Sequence, residues 1–280
     1  MVIKFITFSA TLLFLLSSEN AAAQDKIFTD PFGMEFIKIE PGSIRIGKYQ
    51  PTVGEYQAPR TDADGRVIKV LPPSAYKTAE EAAQKAIMPG FIVQIKKPFY
   101  IGKYEVSQRE WQKVMGSNPS YFKDITKAGD AESHPVENIT WDDAQDFIRK
   151  LNSLNKKYSY RLPTEFEWEY AAAAGADDDI SWATASATGV ISKTSTSPVG
   201  SKEPNAWGLY DMIGNVWEWV ADHYNEKIFA DPVPPQTGKQ HVLKGASFTG
   251  DAKNATYKTQ AAGPGNGFDV GFRLVVEVRE

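Results

Sequence analysis

The stretch from Asn205 to Trp219 reads NAWGLYDMIGNVWEW, and the fold is read outward from it. Asp211 and Glu218 bracket Gly214 and Asn215. Calcium takes six to eight hard oxygen ligands, from carboxylates and main-chain carbonyls together. A loop with acids at its ends and Gly-Asn between can wrap both kinds of oxygen around one ion. The bland alternative is that Asp211 and Glu218 only cap turns, a common use of such residues. Trp217 and Trp219, like Trp168, read as core side chains before cofactor partners.

On either side of this loop the chain carries clear element signals. Ser107 to Glu110, Thr140 to Asp143 and Thr164 to Glu167 each place a hydroxyl residue three positions before an acid, the pattern of a capping box. Trp111, Val114 and Met115 then fall on one helical face; Ala144, Phe147, Ile148 and Leu151 do so on the next; Phe166 and Tyr170 lie one turn apart on the third. Met34 to Gly47 reads as a hairpin turning at Pro41-Gly42. Phe91 to Tyr104 reads as two strands split by Lys97-Pro98, and Gly271 to Val276 as a last strand. Tyr49 to Pro73 is a Pro- and Gly-rich loop, Thr78 to Ala86 a short helix, and Gly175 to Lys202 and Pro232 to Pro235 are irregular. With no internal linker, this is one α+β domain over 24–280, with an insertion at about 49–90.

Residues 1–23 read as a secretory signal: Lys4, the apolar run Phe5 to Leu16, then Ala21-Ala22-Ala23. The run is short for a membrane span, although an uncleaved anchor is the competing reading. Export to the periplasm or outside the cell is the expectation. The 280 residues contain no cysteine, so no disulfide holds the exported chain together. A formal charge of −4 without a basic patch excludes nucleic acid as the expected partner.

Six segments in order resemble the formylglycine-generating enzyme family, also called the sulfatase-modifying factor family. They are FYIGKYEVSQREW (Phe99 to Trp111), HPVENITWDDAQDFIRKLN (His134 to Asn152), YRLPTEFEWEYAAAAG (Tyr160 to Gly175), NAWGLYDMIGNVWEW, LKGASF (Leu243 to Phe248) and GFRLV (Gly271 to Val275). The resemblance implies a C-type-lectin-like fold: a small twisted antiparallel sheet, a few helices and much loop. It also implies a calcium site using the side chains of Asp211 and Glu218 and the carbonyls of Gly214 and Val216. A second calcium site of the family is not reproduced within Ile180 to Ser201.

The family's oxidising members hold copper(I) through two thiolates, because copper(I) prefers sulfur. Alignment on GASF puts those positions at Gly250 and Ala255, which offer no ligand, and Lys258 to Gly263 lacks two expected arginines. No copper is therefore expected. Of the three histidines, His134 sits in a structural motif, and only His223, His241 and Asp222 form a conceivable iron triad. Ser247 is a pocket candidate by position, with Trp217 and His241, but no base is assigned to activate it. Arg161 and Glu165 read as an internal ion pair.

Two functional readings follow. One is a non-catalytic module that binds a peptide, glycan or exported protein, or builds an envelope assembly, on a calcium-stabilised frame. The alternative is a divergent periplasmic oxidoreductase or tailoring enzyme acting on a small molecule or peptide.

Overall fold

A computed structural model describes residues 26–46, 60–61, 67–68, 90–124, 130–176, 186–225, 228, 233–250, 257–258, 260–262 and 265–279. The signal reading, the helix expected at 78–86 and the cysteine-equivalent Ala255 lie outside the described residues.

Two sheets organise the chain. The first has five antiparallel strands in the order β1 (Ile27–Thr29), β2 (Glu35–Ile39), β7 (Phe99–Gly102), β13 (Val275–Val278) and β8 (Tyr158–Arg161). The second has the order β11 (Gln260–Ala262), β10 (His241–Lys244), β9 (Trp217–His223) and β12 (Val270–Phe272), with β12 parallel to β9. Short ladders pair β3 (Gly42–Ile46) with β6 (Phe91–Ile95), and β4 (Arg60–Thr61) with β5 (Val67–Ile68). The expected α+β, lectin-like architecture is what forms, and the break at Lys97-Pro98 falls between β6 and β7 as expected.

Two strand expectations are corrected. Met34 to Gly47 does supply two strands, but they do not pair as a hairpin: β2 pairs with β1 and β7, whereas β3 turns away to β6. Gly271 to Val276 is not one strand. The chain steps between sheets at Arg273-Leu274, so β12 serves the second sheet and β13 the first. An apolar run fixes strand tendency but not which edge it joins. Tyr160, Tyr100, Val276 and Leu274 show how the first sheet takes its register across β8, β13 and β7.

All three capping boxes form, at α1 (Gln108–Met115), α2 (Trp141–Leu154) and α3 (Glu165–Ala173). In each, the hydroxyl accepts the N3 amide and the N3 acid accepts the cap amide, which satisfies helix donors that have no intrahelical partner. α2 buries Ala144, Phe147, Ile148 and Leu151, as its stripe requires. Phe147 stacks on Trp111 at 5.2 Å and meets Phe272 edge-on at 5.5 Å, so both helices close one core over β12. A second core gathers Ile37, Ile101, Trp168, Val220 and Val242 between the sheets and α3.

Candidate functional site

The motif loop comes to lie at the seam of the two sheets, around one fully buried guanidinium. Arg273 donates through Nε to Glu218 Oε2 at 2.7 Å and through NH2 to Glu218 Oε1 at 2.6 Å. It also donates to the carbonyls of Gly102 (3.1 Å) and Tyr210 (3.0 Å), so one side chain ties β7, the motif loop and β9. Trp168 Nε1 on α3 adds a 2.6 Å bond to Glu218 Oε2. The backbone around it is tight: Asp211 and Asn215 each take φ near 56°, and a Cβ on Gly214 would stand 2.1 Å from the Val190 carbonyl oxygen. Only glycine fits there.

Beside this pair sit two more buried carboxylates. Glu105 accepts from Asn215 Nδ2 at 2.6 Å and from the Val216 amide at 3.2 Å. Asp211 Oδ2 accepts the Gly200 amide at 2.6 Å, while its Oδ1 is buried with no partner. Burial pushes the Asp211 carboxyl up to about 6, with Glu218 adding to the push. Glu105 is driven well above the carboxylate range by burial, then by Asp211 and Glu218. Three carboxylates thus share one guanidinium.

The calcium set implied by the resemblance does not fit as a set. Both Glu218 oxygens are occupied by Arg273 and Trp168, and a cation there would face the guanidinium. Of the two side chains, Asp211 alone offers an uncommitted oxygen. Among the described residues, no group of three or more His, Cys, Asp or Glu is arranged to hold a metal ion.

The mouth of the fold is built differently. Ser247 follows β10 through Ala246, which takes φ 64°, and its Oγ donates to Asp269 Oδ2 at 2.8 Å with Thr249 Oγ1 at 2.9 Å. The Trp217 amide donates to the Asp269 carbonyl at 2.8 Å, so Trp217 and Ser247 are both brought to Asp269. Beneath, the buried Glu137 carboxylate accepts the amides of Tyr121 (3.0 Å) and Phe122 (2.8 Å), and burial raises it to about 7 with a further push from Asp269. The turn so pinned presents Tyr121 and Phe122 to Phe268, with Phe248 beneath, in a four-ring cluster. Tyr121 is 70% exposed and Phe268 49%, although each is a large aromatic ring. Gly250, at the first cysteine-equivalent position, closes a turn onto the Ser247 carbonyl.

His241 is not part of this mouth. It pairs with His223 at the opposite end of the β9–β10 ladder, whereas Lys244 pairs with Glu218 at the near end. The histidine rings lie 4.3 Å apart at a 30° tilt, and Asp222 instead accepts the Glu165 amide at 2.6 Å. A facial triad needs lone pairs that meet at one metal, so the iron reading fails on geometry. The Arg161 pairing is also corrected: Arg161 binds Glu167 at 2.7 Å and Glu277 at 2.9 Å. Glu165 lies instead 3.9 Å from the buried Lys244, whose closer partner is Glu169 at 2.9 Å.

Sequence reading missed Arg273 and Glu105 as the centre of the motif cluster. Both lie inside resemblance motifs, and a lone Arg in an apolar last strand was the available signal, since such a charge is seldom buried without a partner.

A frame of bonded motif residues under a loop-built mouth defines a class, and comparison with known families places it. Residues 35–278 match the family model for the sulfatase-modifying factor enzyme 1-like domain, and the chain belongs to that family. It is similar to a protein named chaperone protein LppX from Paenibacillus barcinonensis, 31% identical over 235 residues, covering 63% of this chain and 79% of the relative. It is also similar to the formylglycine-generating enzyme of Thermomonospora curvata, 34% identical over 146 residues, covering 42% of this chain and 46% of the enzyme. The chain thus spans less than half of that enzyme's length. Among solved structures, Treponema denticola variable protein 1 superposes with a TM-score of 0.67 at 26% identity, over 89% of this chain and 98% of that one. No helix among the described residues is long and apolar enough to cross a membrane.

Proposed function

We propose that the protein is an exported binding module whose mouth, around Asp269, receives a peptide, glycan or exported partner protein. The observation that carries this is the ring cluster of Tyr121, Phe122, Phe248 and Phe268, held on the Glu137 carboxylate, with Tyr121 and Phe268 left open to solvent. Rigid aromatic side chains supply contact area at low conformational cost, which is why they dominate recognition surfaces. A relative named as a chaperone supports a polypeptide as the occupant. The chain has no thiol for copper, and Ser247 is bonded to an acid and a threonine, with no histidine beside it to serve as a base. Export rests on the reading of residues 1–23.

Calcium belongs to this proposal only through Asp211. Its partnerless oxygen and the surplus of buried negative charge support a cation there.

The test is to probe the purified protein against synthetic peptide and glycan arrays, alongside a Tyr121→Ala/Phe268→Ala variant. The expected result is a discrete set of peptides or glycans bound by the wild type and lost by the variant. Equal binding by both proteins would overturn the assignment of the mouth. Oxygen uptake with copper(I) and a cysteine peptide would restore the enzyme reading.

A further inference from the structure

At the far end of the β9–β10 ladder, three rings form a column that the binding mouth does not use. The His241 ring lies 3.8 Å from Trp141, tilted by 5°, and His223 lies 4.3 Å beyond at 30°. Trp141 is fixed by a 2.9 Å bond from its Nε1 to the Val220 carbonyl. Gly238 closes the other side, since a Cβ there would stand 3.0 Å from the His223 Cβ. The two histidines face each other directly in the strand register, which becomes irregular between His241 and Leu243.

Both Nδ1 atoms are buried and neither has a hydrogen-bond partner. A neutral imidazole tolerates this, because one ring nitrogen carries no proton. An imidazolium has N–H on both nitrogens, so protonation strands a donor in the protein interior. A second proton would place two like charges one ring apart. The charged groups around the column do not relieve this. Asp142, on the first turn of α2, acts on His241 but gives Nδ1 no acceptor. Asp222 feels His223 but is committed to the Glu165 amide.

We propose that Trp141, His241 and His223 form an acid-sensitive latch that holds the end of the β9–β10 pair closed at neutral pH and releases it in acid. Burial, then His223, holds His241 below its ordinary value, in keeping with this geometry. The sign follows. The closed strand keeps off His241 a proton that the opened strand accepts, so closure is fully stable above the ordinary imidazole value of about 6.5 and is lost as pH falls below it. The proton that His241 takes up on opening raises the opening constant by up to about tenfold per pH unit in that range.

The test is hydrogen exchange of the Tyr224 amide, which donates to the Gln240 carbonyl at 2.8 Å just beyond the histidines. Exchange is measured on the full chain at pH 7.5 and 5.0, corrected for the intrinsic rate, with the Val276 amide in β13 as reference. The opening constant at Tyr224 should rise at least tenfold in acid while Val276 changes little. His241→Phe keeps a flat ring against Trp141 without a titrating nitrogen and should abolish the rise; His223→Gln serves the same purpose if that variant does not fold. A wild-type change under twofold would overturn the latch, as would a tenfold rise that persists in the histidine variants.

Discussion

The seam around Arg273 and the mouth around Asp269 sit on the same strands but are held in opposite ways. At the seam, Glu218 receives three hydrogen bonds and Arg273 gives four, all buried except the partly buried one to the Tyr210 carbonyl. At the mouth, Asp269 holds Ser247 by one side-chain bond, and two of the four rings are largely open to solvent. Gly102 and Glu105 come from the first resemblance segment, Trp168 from the third, Asp211 and Glu218 from the fourth and Arg273 from the last. The motifs that place the chain in its family therefore build the seam, and they reach the mouth through Glu137, Ser247 and Phe248, while Tyr121, Phe268 and Asp269 lie outside them. The seam residues testify to a frame, and a fold can keep its frame while its site changes.

The sharpest way to break this contrast is to remove the guanidinium. Arg273→Leu leaves three buried carboxylates without a counter-charge and strips partners from Gly102 and Tyr210. Removing one partner of a buried pair costs about 3–5 kcal/mol. Denaturant unfolding should show a loss of that size, or no folded protein. A loss below about 1 kcal/mol would mean the seam does not carry the frame.

Asp211→Asn probes the same cluster from its surplus side. Asparagine tolerates the positive φ and keeps an oxygen for the Gly200 amide. The Asp211 carboxyl is raised from 3.8 to about 6, so its share of stability is present at low pH and lost as pH rises through about 6. The variant lacks that loss and should be the more stable protein above pH 6, by about 3 kcal/mol at about 1.4 kcal/mol per unit. Adding calcium should raise the melting temperature of the wild type there and leave the variant unmoved. A wild type indifferent to calcium and chelator removes the ion from the proposal.

The helices and the α+β class were legible because their signals are local, whereas the lectin-like architecture came only from the resemblance. Each capping box lies within four residues, and the stripe of α2 is visible in Ala144, Phe147, Ile148 and Leu151 alone. What was not legible is set by pairing at long range. Nothing in Met34 to Gly47 says that β3 leaves β2 for β6, and nothing beside Arg161 says that Glu167, not Glu165, turns toward it. The site was half legible for the same reason. Asp211, Glu218, Trp217 and Ser247 stood out by motif, but the bonds that decide their roles come from Arg273, 55 residues after Glu218, and from Asp269, 22 after Ser247. The ring cluster escaped because Tyr121, Phe248 and Phe268 share no periodicity, being on three separate loops.

Ser247→Ala tests how firmly the mouth is held. It deletes the 2.8 Å bond to Asp269 Oδ2, whose carboxylate remains within reach of water. A hydrogen bond of this kind contributes about 1 kcal/mol, so a modest fall in the denaturation midpoint is expected. A cost near that of Arg273→Leu would show that the mouth is frame after all.

The smallest expected effect on stability belongs to Tyr121→Ala and Phe268→Ala, and it is the one on which the contrast rests most directly. With 70% and 49% of their surfaces already in water, these side chains contribute little to the folded state. Exposed substitutions away from caps and buried networks change stability by about 0.5 kcal/mol or less. If the rings are a binding surface, the double variant should melt with the wild type while losing its array ligands, since aromatic anchors carry a disproportionate part of recognition. A double variant that melts several degrees lower would instead make the rings a lid on Glu137, whose bonds to Tyr121 and Phe122 would then serve folding rather than presentation.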